Sequence, residues 1–179
     1  MNVRLVTAAL AILLVAGCTS PVRDYALREP RLDLQDYFDG PLVAWGIVQN
    51  RSGKVTRSFR ADLVGRWEGD TGILEEDFTW SDGQQERRVW TFRKLDEHSY
   101  IGTASDVVGE ARGEAFGNAL RWRYTLRLPW NDGTIDVVLD DRMWLLQDGV
   151  LVNRAEIRKF GVRLGEVTLF FRKTGRRLP

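Results

Sequence analysis

Few residues of this chain have the identity or spacing for catalysis. The 179 residues hold one histidine, His98, in Leu95-Asp96-Glu97-His98-Ser99-Tyr100, and one cysteine, Cys18. One of each cannot supply a His/Cys zinc site. A Ser–His–Asp arrangement would have to rest on a histidine in a turn. Asp140 and Asp141 are sequence neighbours, so on a strand their side chains point to opposite faces and cannot act as a pair. Glu75-Glu76-Asp77 has the same defect, although Glu75 and Asp77 share a face. A carboxylate dyad from distant strands is left open, but no pattern singles one out. The Asp-Gly steps at Asp82, Asp132 and Asp148 read as turns, without calcium-loop spacing. No catalytic residue, metal or cofactor is expected.

Cys18 has a different meaning. Arg4 is the only charge before it, and residues 5–17 form an apolar and small-residue run broken only by Thr7. That run is too short to span a bilayer, which takes about 20 residues, and has the layout of a secretory signal. Its end, Val15-Ala16-Gly17-Cys18, resembles the bacterial lipobox. The resemblance implies that residues 1–17 are removed and that Cys18 is acylated as the mature N-terminus. Two or three acyl chains hold a protein stably at a membrane, since each buried methylene contributes ~0.8 kcal/mol. Thr19, rather than Asp, follows the cysteine, which implies the outer membrane, periplasmic face. Residues 18–31, with Pro21 and Pro30, read as an acylated tether, 32–174 as one domain and 175–179 as a tail.

Without residues 1–17 the chain carries 25 basic and 25 acidic residues. Zero net charge argues against a nucleic-acid partner, which calls for a basic excess. Beyond residue 31 only 32–38 has helical spacing, for two turns at most. The rest alternates at period two between Gly- and Asp-rich punctuation. Strands are expected near 42–50, 54–64, 72–80, 86–95, 99–105, 108–116, 119–128, 134–146, 150–159 and 165–173, an all-β antiparallel up-and-down barrel of about 8–10 strands.

Register follows from the patterns. Leu120, Trp122, Tyr124, Leu126 and Leu128 share one face, with Arg121, Arg123 and Arg127 on the other. A loop at 130–133 sets Leu128 opposite Ile135, Arg127 opposite Asp136 and Arg123 opposite Asp140. In the first hairpin, a three-residue loop at 51–53 would set Trp45 opposite Phe59 and Val43 opposite Ala61. Positions 107–119 read Val, Gly, Ala, Gly, Ala, Gly, Ala at period two, including Gly109, Ala111 and Gly113. So bare a face invites something bulky, either a tryptophan or a ligand.

Several motifs together resemble a family of proteobacterial lipoproteins described only as a domain of unknown function. They are Phe38-Asp39-Gly40, Ala44-Trp45-Gly46, Arg51-Ser52-Gly53-Lys54-Val55, Ser81-Asp82-Gly83, Asp106-Val107-Val108-Gly109-Glu110-Ala111, Gly117-Asn118-Ala119-Leu120-Arg121-Trp122 and Lys159-Phe160-Gly161-Val162-Arg163-Leu164-Gly165-Glu166. Asn153, Arg154, Lys159, Arg163 and Glu166 form the polar group of that match, read either as a structural ion-pair cluster near the barrel mouth or as a rim for an anionic headgroup. The chain also resembles lipocalins and the wider calycin group, through Gly65-Arg66-Trp67 and a late Arg172. In those barrels such a Trp, packed by an Arg, plugs the base; here Trp45 is a second candidate for that role.

The expected function is a noncatalytic, lipid-anchored barrel of the cell envelope that binds or transfers an apolar, lipid or acyl-chain ligand. Trp45, Trp90, Trp122, Tyr124 and Trp144 would wall the cavity with Gly109, Ala111 and Gly113. A filled barrel with a protein partner, or an accessory lipid-modifying enzyme, are the alternatives. Replacing Cys18 by Ala should release the protein from membranes in an unacylated, folded form. Fractionation with intact-mass measurement checks this; a variant that still pellets through an acyl group contradicts it.

Overall fold

The computed structural model describes residues 20–174; Cys18, the leader and the tail lie outside them. A 3-10 turn at Val22–Tyr25 and a short helix, α1 (Leu34–Phe38), precede ten strands. These are β1 (Gly40–Asn50), β2 (Val55–Glu68), β3 (Thr71–Trp80), β4 (Gln85–Lys94), β5 (Ser99–Thr103), β6 (Val107–Phe116), β7 (Ala119–Trp130), β8 (Gly133–Leu145), β9 (Leu151–Lys159) and β10 (Val162–Lys173). Every strand pairs antiparallel with its chain neighbours, and β1 closes on β10. Closure removes all free edges, as in lipocalin-like barrels.

The β7–β8 register is the expected one: Leu128 lies opposite Ile135, Leu126 opposite Val137, Arg127 opposite Asp136 and Arg123 opposite Asp140. Arg127 pairs with Asp136 at 2.8 Å, but Asp140 takes Arg121, not Arg123, as its ion partner, at 2.5 Å. The first hairpin departs from expectation. Gln49 meets Val55, but a bulge then shifts the ladder, so that Trp45 faces Arg60, Val43 faces Asp62 and Gly46 faces Phe59. One residue of slip exchanges inner and outer faces. Trp45 consequently points outward and is 43% exposed; it neither plugs the barrel nor lines a cavity.

That shift makes one of four like contacts. Inside the barrel, Phe59 lies opposite Gly46, Trp67 opposite Gly72, Phe92 opposite Gly102 and Trp122 opposite Gly113. A Cβ built on those four glycines would lie 2.3, 2.5, 2.9 and 2.8 Å from the respective ring. Each ring therefore occupies the space its partner leaves, the aromatic cover of strand glycines described for designed sheets. The rings also meet one another: Phe92 stacks near Trp67 (6.4 Å, 13°) and Trp90 (5.5 Å, 11°) and tilts against Trp122 at 5.5 Å. The bulky neighbour of the bare strand is thus Trp122, from the next strand in the ladder. Gly109 is exposed, at φ +75°, beside an irregularity that adds two residues to β6, and does not join the inner row.

α1 closes one end. Asp33 caps it by accepting from the backbone N–H of Gln35 and Asp36. The Phe38 carbonyl would lie 1.5 Å from any Cβ on Gly65, so the helix seats only on a glycine. The Tyr37 hydroxyl reaches the carbonyls of Phe171 and Gly149 at 3.0 and 3.1 Å. The first residue of the resembled Gly-x-Trp tripeptide thus serves helix seating. Trp67 lies inside, while Arg172 is exposed on the outer face opposite Val43 and does not pack on it.

Residues 20–31 are not the free tether expected from composition. Val22 is buried, Tyr25 packs on Trp144 at 6.5 Å, and the Tyr25 and Arg28 carbonyls crowd Gly117. Trp144 faces outward, half-buried under Tyr25, so it too leaves the cavity set.

Because the Trp122 ring fills the space over Gly113, Gly113→Val should cost about 1–3 kcal/mol by overpacking, and Gly113→Ala less. Urea unfolding of both variants reads this; an unchanged midpoint for the valine variant would mean the ring does not sit there.

Candidate functional site

Alternation along the strands puts polar side chains into the apolar inner rows. Glu76 stands between Leu74 and Phe78 on β3, and Asp141 between Leu139 and Met143 on β8. Asn153 stands between Leu151 and Ala155 on β9. Glu76 is 7%, Asp141 7% and Asn153 2% exposed. Arg88, on β4 directly opposite Glu76, and Asp106, in the β5–β6 connection, join them. Tyr124, on β7, stands among these groups and packs edge-on against Trp90 at 5.5 Å.

Arg88 is the cation of this cluster. Its guanidinium pairs with Asp106 at 2.7 Å and lies 5.6 Å from the Phe78 ring. Burial opposes its charge, but Glu76 and Asp106 outweigh burial and hold the guanidinium protonated. Asn153 donates from its side-chain amide to Asp141 and to the Arg142 carbonyl, and the Tyr124 hydroxyl also faces Asp141. The Trp90 indole N–H lies beside Glu76.

Burial pushes Glu76 up to about 7 against the pull of Arg88, with Asp106 and Asp141 adding to the rise. Burial likewise pushes Asp141 up to about 7, against Asn153 and Tyr124, with Asp140 adding to the rise. The Tyr124 hydroxyl is held well above its ordinary range by burial and by Asp141. Glu76 and Asp106 face the one guanidinium, while Asp141 stands near Glu76 with Asn153 and Tyr124 as its polar partners, so burial is not fully offset at either raised carboxyl group. Near neutrality the cluster therefore presents carboxylic acid, carboxylate, phenol, amide and guanidinium together. Arg88 Nε and Asp106 Oδ1 are buried and find no hydrogen-bond partner within the protein. Arg57 Nε, Asn118 Oδ1, Arg142 Nη2 and Arg163 Nε share this state elsewhere, but only these two stand together beside the aromatic wall, where water or a ligand's polar atoms would satisfy them.

The arrangement sets a polar group against a wall of Trp90, Phe92, Trp122 and Tyr124, within a fold whose second apolar cluster is Leu126, Val137, Leu139 and Ala155. Of the residues expected from sequence, Trp90, Ala111, Gly113, Trp122 and Tyr124 share this interior, and Asn153 joins its polar center instead of a rim. The other rim residues separate from it. Glu166, on the outer face, is paired by Arg154 at 2.6 Å and Arg163 at 3.1 Å. Lys159 donates to the Asp136 carbonyl. Glu166 itself is only 6% exposed, so the two arginines close over a buried carboxylate, and Lys159 makes a backbone tie. His98 is equally structural, with Nδ1 2.9 Å from the Ala115 carbonyl and its ring stacked on Phe116 at 4.1 Å. It borders an outer cleft of about 380 Å3 between residues 26–33 and β5–β6, which the Arg31–Glu97 and Lys94–Asp33 pairs flank.

Glu76, Arg88, Asp106 and Asp141 escaped the sequence reading because neighbouring residues were tested as pairs. For Glu76 and Asp141 the signal lay in the strand's own period, a single charge interrupting an apolar row; Asp106 lies in a connection and carries none.

The family described as "Protein of unknown function (DUF3833)" matches residues 12–173. The chain belongs to that family. A search among curated proteins finds no match. Among solved structures, the S-type phycobiliprotein lyase CPES from Guillardia theta is similar in fold, with a TM-score of 0.52 at 9% identity, over 82% of this chain and 96% of that one. This DUF3833 barrel is thus lipocalin-like in architecture, and the likeness concerns the fold alone.

The two raised carboxyl groups carry a sign for stability. Each binds a proton in the folded state that the unfolded chain releases near pH 4, so stability falls as pH rises from about 4 to about 7 and then levels off. The expected loss is a few kcal/mol at most. Glu76→Gln and Asp141→Asn should flatten that slope, with Tm above wild type at pH 8 relative to pH 5. Thermal melts across this range check it; parallel wild-type and variant curves would contradict it.

Proposed function

We propose that this protein is a noncatalytic, lipid-anchored envelope barrel that binds one amphiphilic small molecule. The polar end of the ligand meets the Glu76–Arg88–Asp106–Asp141 cluster, and its apolar part lies against the aromatic wall. The carrying observation is the pair of buried, unpartnered atoms, Arg88 Nε and Asp106 Oδ1, inside an aromatic-lined barrel. An acyl chain with a hydrogen-bonding head suits both parts, since ligand sites combine apolar walls with a few convergent polar groups. Acylation at Cys18, supported by the lipobox-like Val15-Ala16-Gly17-Cys18, would hold the barrel at a membrane, in keeping with the outer membrane's periplasmic face.

A second reading has its own observation. The rings of Phe59, Trp67, Phe92 and Trp122 already fill the space over four inner glycines. A barrel packed in this way throughout would be a structural or assembly protein of the envelope.

Binding of a fluorescent fatty acid separates the two. The carrier reading expects saturable binding that tightens from pH 8 to pH 5.5, as Glu76 and Asp141 lose their negative charge beside the probe's carboxylate. Arg88→Gln should weaken binding about tenfold or more, as loss of a buried charge partner does. Asp106→Asn, which leaves Arg88 without its partner, should strengthen it. Mass spectrometry of what co-purifies identifies the natural ligand. No probe binding and no co-purifying molecule would leave the filled barrel.

A further inference from the structure

We propose that the outer face of β8, β9, β10 and β1 rests on the lipid surface, so that the barrel lies on its side against the membrane. The orientation rests on the anchoring of Cys18 proposed above. Four apolar side chains run across these strands in one continuous row: Trp144 opposite Val152, Val152 opposite Phe170, and Phe170 opposite Trp45. Strands lie about 4.8 Å apart, so the row is roughly 14 Å long. Trp45 is 43% and Phe170 47% exposed, and Leu146, two residues after Trp144, is 46% exposed. Scattered single hydrophobics on a surface need no explanation, but a contiguous apolar row with three aromatic members does.

The N-terminal chain supplies the occupant. The Ser20 carbonyl accepts from Arg142 at 3.0 Å, and Arg142 stands two residues before Trp144 on β8. Cys18 precedes Ser20 by two residues, a span of at most about 7 Å. An acyl chain on Cys18 would therefore enter the bilayer beside the row, bringing this face to the headgroups. Tryptophans are favoured at that depth, where the ring is half apolar and half wet. Arg142 flanks the row on one side and Arg172 on the other. Guanidinium groups there suit the phosphates of anionic lipids.

The test uses the full chain in vesicles of phosphatidylethanolamine and phosphatidylglycerol whose acyl chains carry bromine, a contact quencher of indole fluorescence. The expected result is quenching that falls by at least half in Trp45→Phe and likewise in Phe170→Glu, with both variants melting like wild type. Trp130→Phe, at the tip of the β7–β8 hairpin, should leave the quenching in place. Quenching that survives Trp45→Phe and vanishes with Trp130→Phe would mean end-on docking and overturn the inference, as would no quenching at all. Intact mass reads the anchor separately. An acylated chain with unquenched Trp45 overturns this face and leaves the anchor standing; an unacylated chain with quenched Trp45 does the reverse.

Discussion

Four aromatic rings inside this barrel lie directly across from glycines on neighbouring strands, and the rest of the interior is arranged around those contacts. A ten-stranded barrel encloses more width than aliphatic side chains fill easily. Indole and phenyl groups reach far enough, but only by lying flat along the wall, which needs a partner without a Cβ. Phe59 on Gly46, Trp67 on Gly72, Phe92 on Gly102 and Trp122 on Gly113 meet that need. The same constraint explains the bulge in the first hairpin. Without it Phe59 would face Trp45, two large rings competing for one space.

The polar cluster is the countervailing feature. Every carboxyl group placed among those rings loses hydration; Arg88 offsets Glu76 and Asp106, and Asp141 has only Asn153 and Tyr124. A well-packed apolar set at the same positions would serve stability better. The cluster is instead built from five different strands and one connection, with two buried atoms left unpartnered. That is the pattern of a site held by a rigid scaffold at some cost to folding, in which protonation near neutrality lowers the cost.

Outside, the charges behave in the opposite way. Arg127–Asp136, Arg60–Asp62 and Arg57–Asp82 pair across or along strands where water screens them. Such pairs do more for register and solubility than for stability. The uncharged row Trp144, Val152, Phe170 and Trp45 stands out against this surface because its four side chains meet one another across four strands, with Arg142 and Arg172 on either side.

Much of the fold was legible in the chain itself. Period-two alternation and turn residues located the ten strands and the short helix, and the arginine comb predicted the β7–β8 register, because local patterns and opposite charges leave one consistent pairing. The apolar–charged punctuation at Glu76, Asp141 and Asn153 was equally present, yet its meaning was not. Which rows face one another inside a closed barrel depends on closure of β1 on β10 and on bulges. A single inserted residue near Val55 turned Trp45 from inside to outside, and two beside Gly109 removed it from the inner row. No alternation pattern encodes such slips, since they relieve crowding between strands that meet only in the folded state. The sequence by itself determined the strands, their outward charges and the lipobox-like Cys18; the tertiary structure alone decided that Glu76 and Asp106 share the Arg88 guanidinium and that Asp141 comes near Glu76, because that depends on positions up to 65 residues apart meeting across the barrel.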